Sequence, residues 1–436
     1  LEVRVTLSTT VRASYAVGSV ATGIFSTVPG LLLMYYQTET LAVPPLLAGL
    51  ALSIAKLWDA VIDPAMGWLT DRTRTASGRR RPWLLAGALT LPLAFFALFS
   101  APTTTPHTSF AWVLGWCAVS ATCFSLFSVP YVTMPAEMSD DPADTTRLVG
   151  WRMAALTVGI LAGGAIAPAL IQAGGGGRPG HAVMAAALAV VLGVTMLATW
   201  AGTASAPFDP EPSDPNPPLA DLTAALRNGP FMHLLASLCV QVTGIGLLLA
   251  GVPYYARYVL GGDGGTVTVL FVCLVLPAAV AMPAWLAIAR RVGRVTAYLG
   301  SLVVLAVAAA GLGALGLAGT PSTAAPIIAV LGVGYAGSQI FPFALLPDTQ
   351  RAESAASGAR REGTMTGVWL LGDQAALALG AFLAGAILSA TGFVEGGGQQ
   401  AADATRGVLW AMSWAPMALF VAAFGVSVGL RDRLPA

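Results

Sequence analysis

Apolar runs long enough to cross a bilayer recur twelve times along this 436-residue chain and use most of it. A helix needs about 20 apolar residues to traverse the hydrocarbon. The runs lie near 12–36, 43–70, 82–101, 108–138, 148–173, 182–203, 230–259, 265–289, 295–318, 324–347, 365–392 and 407–430. Only 10% of the residues are charged, against about 25% in soluble domains, so these side chains could not cover a water-exposed surface. The sequence predicts an all-α membrane protein with twelve transmembrane helices and no room for a large soluble domain.

The longest polar connection is 204–229, where FDPEPSDPNPP precedes a short amphipathic LADLTAALRN. It reads as a Pro-stiffened linker between two six-helix halves, 1–203 and 230–436. Basic residues set the orientation. With the N-terminus inside, 18 arginines fall on the cytoplasmic side, and only Arg178, Arg257 and Arg406 fall outside. Both termini and the linker are expected in the cytoplasm, with the protein in a bacterial inner membrane. The chain begins without a signal-peptide pattern, and its first apolar run is too long for a cleavable segment, so it is expected to be a retained helix. An Arg-Gly-Arg turn in GWLTDRTRTASGRRRPW recurs weakly in WLAIARRVGRV, whose Arg290 lies 218 residues after Arg72. Two such halves suit a carrier that rocks around a central site.

Net charge is +1 and the basic residues are scattered, so nucleic-acid binding is set aside. Cys117, Cys123, Cys239 and Cys273 all lie in apolar runs and imply neither a disulfide framework nor a metal site. His107, His181 and His233 show no ligand spacing. A phosphate-cradling loop and an enzyme constellation are both absent from the sequence, which argues against ATP-driven transport and catalysis and implies no cofactor.

The segment LWDAVIDPAMGWLTDRTRTASGRRRPWLL, residues 57–85, carries the most chemistry. Asp59 and Asp63 lie four apart on one helical face, well inside a span. Buried carboxylates cost a few kcal/mol each even on the mildest scale, and two together repel, so they should share a cation or a proton. The plainer alternative is that one of them reaches the interface or pairs with Lys56. Asp71, Arg72, Arg79 and Arg80 sit at the cytoplasmic end, where they either set topology or form a charge lock. Asp348, Arg351 and Arg361, with Glu362, flank the 10–11 loop as the counterpart in the second half. Asp373 is a third intramembrane acid. Trp58, Trp116 and Trp369 could stack on a sugar, though packing is the commoner fate of such tryptophans.

The 57–85 segment resembles the second-helix signature of the glycoside-pentoside-hexuronide:cation symporters, a branch of the major facilitator superfamily. SYAVGS near Tyr15, FSVPYVTMPAEMSDDPADTTRLVGWR across helices four and five, and LPDTQRAESAASGARREGTMTG after helix ten match the same family in order. The resemblance implies the major facilitator fold and secondary symport of a sugar or glycoside driven by Na⁺ or H⁺. It places the cation site at Asp59, Asp63 and Ser125, and a sugar-contacting arginine at Arg152. Two carboxylates that hold the galactoside in melibiose permease fall at Gly23 and Ser128. A stacking tryptophan falls at Val132, and a helix-eleven lysine at Gln374. The cation half is thus kept and the melibiose half is not. A lysolipid symporter, a metabolite or drug exporter, and a non-transporting sensor on the same bundle are the alternatives. The expected partners are a small-molecule substrate and the bilayer, with the protein acting as a monomer.

Overall fold

The computed structural model describes residues 8–75, 78–102, 105–139, 141–206, 226–357 and 362–430. Among them are thirteen α-helices. They are α1 (Thr9–Val28), α2 (Pro45–Arg72), α3 (Arg81–Leu98), α4 (Pro106–Met138), α5 (Pro142–Ala173), α6 (Gly177–Gly202) and α7 (Gly229–Tyr254). There follow α8 (Gly264–Val292), α9 (Arg294–Leu315), α10 (Pro321–Ser357), α11 (Glu362–Ala390), α12 (Ala402–Met412) and α13 (Trp414–Val428). Twelve segments are long and apolar enough to span a membrane, the last being α12 and α13 together, broken at Ser413. That span starts five residues before the expected 407, and α10 runs ten residues past the expected 347. The linker lies largely outside the described residues, which omit 207–225.

The chain forms two compact units, Leu1–Val43 with Leu57–Asp214, and Pro44–Lys56 with Pro215–Ala436. The first half of α2 therefore groups with the second unit, whereas the sequence reading kept all of 1–203 together. Glycines are the reason. A Cβ on Gly49 would stand 2.8 Å from the Ala381 carbonyl oxygen, and one on Gly385 would strike the Pro45 carbonyl. Ser53 Oγ donates to the Ala378 carbonyl at 2.7 Å. Small residues let membrane helices approach backbone to backbone, where packing and hydrogen bonds replace the hydrophobic drive that lipid cannot supply.

Within the first unit, α1 lies on α5 through a similar seam. A Cβ on Gly23 would meet the Leu156 carbonyl oxygen at 2.6 Å, and one on Gly159 would strike the Val20 carbonyl. Tyr131 OH on α4 donates to the Tyr15 carbonyl at 2.7 Å and lies 2.8 Å from Ser19 Oγ, tying α4 to α1. In the second unit, Tyr298 OH donates to Gln241 Oε1 at 3.0 Å and lies 2.8 Å from Ser237 Oγ. Gln241 Nε2 donates to the Ser338 carbonyl at 2.8 Å, and all four residues are buried. Each unit is thus fastened internally by satisfied polar groups.

A repeat of the two halves appears in the backbone, where Tyr35, Tyr36 and Leu41 recur as Tyr254, Tyr255 and Leu260. After α1, a wide π-type turn over Tyr36–Thr40 closes with Leu41 N–H donating to the Tyr36 carbonyl and Val43 N–H to Gln37. After α7, the turn Tyr255–Val259 closes with Leu260 N–H donating to Tyr255 and Gly262 N–H to Ala256. Both chains then leave through a left-handed residue, Ala42 at φ 52° and Gly261 at φ 64°.

Candidate cation and substrate site

On α2, Lys56, Asp59 and Asp63 stand at i, i+3 and i+7, and thus share one face. Asp59 is buried. Ser125 Oγ, fully buried on α4, donates a short hydrogen bond to Asp63 Oδ1. Pro64 inside α2 has no amide proton, so it removes the donor that would otherwise bond the Ala60 carbonyl. One turn of α2 thereby collects two carboxylates and a backbone oxygen freed of its helical donor, with a hydroxyl from α4 beside them. These are hard oxygens of the kind small cations take. Among the described residues there is no cluster of three or more His, Cys, Asp or Glu suited to a metal.

Trp58 does not join this group. Its indole N–H donates to Thr122 Oγ1 at 3.0 Å on α4, and at about 100° per residue it lies about 140° round α2 from Asp63. Trp58 and Asp63 therefore flank the contact with α4 on opposite sides. Gly23 is likewise a packing position, pressed on the α5 backbone with no space for a larger group. Trp369 is fully buried and edge-on to Phe343 at 5.6 Å, and Trp116 pairs with Trp112 at 5.8 Å. His181 and His233 each hold a carbonyl of their own helix, at 2.7 Å from Gly177 and 2.9 Å from Gly229.

Arg152 on α5 stands over the Tyr131 ring, 5.7 Å from its centroid. Its Nε is buried and has no hydrogen-bond partner among the described residues. The Tyr131–Ser19–Tyr15 network holds the ring that carries it. Ser128, on α4 between Ser125 and Tyr131, is half-buried. In the second unit, Asp373 and Gln374 on α11 are half-buried, and Lys56 acts electrostatically on Asp373.

At the far ends of α2 and α4 a charged cluster forms around Glu137. Its Oε1 accepts from Arg79 at 2.7 Å and from Arg80 Nε at 2.8 Å, with both arginines buried and the glutamate side chain 9% exposed. Arg80 also reaches Asp71 at 2.8 Å and Thr70 Oγ1 at 2.7 Å. Arg72 instead stacks on Trp68 at 4.1 Å. In the second unit Asp348 binds Arg294 at 2.9 Å and Arg351 at 2.7 Å, both largely exposed. Arg361 lies outside the described residues.

The family profile described as MFS/sugar transport protein matches residues 14–428. The chain belongs to that family. It is 24% identical to the isoprimeverose transporter of Lactiplantibacillus pentosus, over 95% of this chain and 86% of that one. It is 28% identical to the sodium-dependent lysophosphatidylcholine symporter 1-A of Danio rerio, over 36% of this chain and 29% of that one. A bacterial homologue of the human lysosomal transporter Spinster shares the fold, with a TM-score of 0.68 over 98% of this chain and 97% of that one at 13% identity. The family is one of transporters, and this chain is a membrane transporter with the all-helical twelve-span fold of that group.

Sequence reasoning missed three polar partners at helix ends. Glu137 binds the arginine cluster, Asp144 binds Arg12 at 3.0 Å, and Asn228 Nδ2 donates to Glu353 at 2.5 Å. The signal available for Glu137 was its side of the membrane. With an inside N-terminus, the ends of spans two and four face the same compartment, so an acid in PAEMSDD stands level with Arg79–Arg81.

Proposed function

We propose that this transporter is a cation-coupled symporter of a sugar or glycoside, driven by Na⁺ or H⁺ and working by alternating access in a bacterial inner membrane with both termini in the cytoplasm. The observation that carries the coupling is the Ser125 hydroxyl on Asp63 with Asp59 buried one turn away on the same face. Two carboxylates so placed repel and are poorly solvated, and a bound monovalent cation relieves both penalties. The loaded and empty forms then differ in free energy by the differential affinity of the cation, and that difference biases the transport cycle. Arg152 supplies the donor for substrate hydroxyls, since its Nε stands buried with donor capacity to spare. Ser128 and Gln374 line the substrate side as neutral groups, and the protein acts as a monomer. The buried Glu137 cluster and the Asp348 pairs bias opening and closing at the cytoplasmic ends.

The test is counterflow beside gradient-driven uptake across a sugar panel. Asp63→Asn should abolish uphill accumulation and spare downhill exchange, and Asp59→Asn should do the same. Wild-type uphill transport with unchanged cation dependence in both variants would overturn the assignment. A second reading, a lysolipid symporter, is favoured by the uncharged Gly23, Ser128 and Gln374 and by the Danio rerio relative. Including lysophosphatidylcholine in the panel separates the two.

A further inference from the structure

Among the described residues, Asp373 on α11 is an acid well inside a span that the cation site leaves unused, and the packing of α2 on α11 indicates what it faces. The two helices run antiparallel, with Pro45 against Gly385, Gly49 against Ala381, and Ser53 bonded to Ala378. One more turn along this register brings Lys56 level with Asp373 and Gln374. Lys56 does act electrostatically on Asp373, which in turn acts on Cys239 of α7 and Tyr335 of α10. Gln374 is neutral, so this stretch of α11 presents an acid with no basic neighbour beside it in the chain.

Lys56 therefore stands between two acid sites. Along its own helix it is three residues from Asp59 and seven from Asp63, on their face. Across the helix contact it stands level with Asp373. Its ammonium rides on a flexible four-carbon stem, so it can lean toward the Asp59 turn of its own helix or across the helix contact toward Asp373. A charge held this deep in a membrane protein pairs with whatever opposite charge it can reach.

We propose that Lys56 is a tethered counter-cation shared between Asp59 with Asp63 and Asp373, and that the coupling cation loads by displacing Lys56 toward Asp373. The proposal rests on Asp59 and Asp63 holding the coupling cation. While Lys56 leans on the α2 acids it competes with the incoming ion, and while it leans on Asp373 the pair is vacated for that ion. Asp373 thus sets the affinity of a site to which it contributes no ligand, which makes it a positioning residue.

Opposite signs follow for the two partners. Asp373→Asn leaves Lys56 nowhere else to go, so the cation concentration for half-saturation should rise on the order of tenfold. Lys56→Gln removes the competitor and should lower it. In the Lys56→Gln background, Asp373→Asn should have no further effect, because its influence passes through the lysine. The readout is thermal unfolding of the purified full chain, titrated in turn with Na⁺, Li⁺ and H⁺ against choline chloride, where a ligand of the native state raises the transition by mass action.

Equal shifts for Asp373→Asn in both backgrounds, or no shift from either single variant, overturn the proposal. If Asp373→Asn does not fold, Lys56→Gln alone decides, and an unchanged or weakened cation response sinks the idea. A wild-type protein that answers to none of the three cations overturns the cation-site reading itself. A wild type that responds, and loses the response with Asp63→Asn while ignoring both Lys56 and Asp373, overturns only the shared lysine.

Discussion

Glu137 shows how burial changes the worth of a charge. With Arg79 and Arg80 both on its carboxylate and all three side chains largely out of solvent, removing it takes a shared carboxylate from two buried cations, of which Arg80 keeps Asp71. Breaking such a buried pair typically costs about 3–5 kcal/mol. Glu137→Gln should therefore lower the unfolding midpoint of the detergent-solubilised protein strongly. Asp348→Asn, whose partners Arg294 and Arg351 are largely exposed, should cost below about 1 kcal/mol. A comparison of the two midpoints checks the claim, and equal losses would refute it. Asp59, Asp63 and Ser125 are legible in the sequence because a helix period puts the two acids on one face and the matching motifs supply the hydroxyl. The place of Trp58 is not. Periodicity tells which residues share a face but not which flank meets α4, and the Thr122 bond settles that in three dimensions. Glu137 is hidden for a similar reason, since its arginines lie 57 and 58 residues away in the chain.

Helix seams and helix exits carry the energetics of the elements. At Ala42 the exit from α1 takes a left-handed backbone at φ 52°, which an L side chain resists by roughly 1–2 kcal/mol, while Gly261 meets the same demand after α7 without penalty. Ala42→Gly should stabilise the protein by up to about 1 kcal/mol, the gain being reduced by the greater freedom of glycine in the unfolded chain. Gly261→Ala should destabilise it by a similar amount. Thermal unfolding of the two variants reads the opposite signs directly. The α1–α5 seam is stricter, because the nearest atoms to a new Cβ at Gly159 are Val20 backbone atoms that cannot rotate aside. Gly159→Leu should cost about 3 kcal/mol or prevent folding, as overpacked sites do, whereas Gly115→Leu, with nothing within 4 Å of its Cβ, should be tolerated. Expression yield and unfolding midpoint distinguish the two. The positions of most spans are readable from hydropathy to within a few residues. The ten-residue overrun of α10 is not, because LPDTQRAES is polar in sequence yet continues the helix as a bonded extension beyond the apolar core.

At the scale of the whole molecule, the asymmetry of basic residues predicts that a cysteine placed at Ser213 is labelled from the cytoplasmic side only; labelling from the periplasm would invert the topology. The membership of α2 in both compact units has a consequence for how the gene could be cut. A break in the 6–7 linker is the obvious place to divide a twelve-span carrier into two genes. The product carrying 226–436 would then lack Pro44–Lys56, and its α11 would present Gly385, Ala381 and the Ala378 carbonyl with the segment that covers them missing. Such a fragment made alone should be degraded and should persist only when the other product is made in the same cell. A synthetic peptide spanning 44–56 should partly protect it, because the inheritance of the second unit includes thirteen residues encoded in the first.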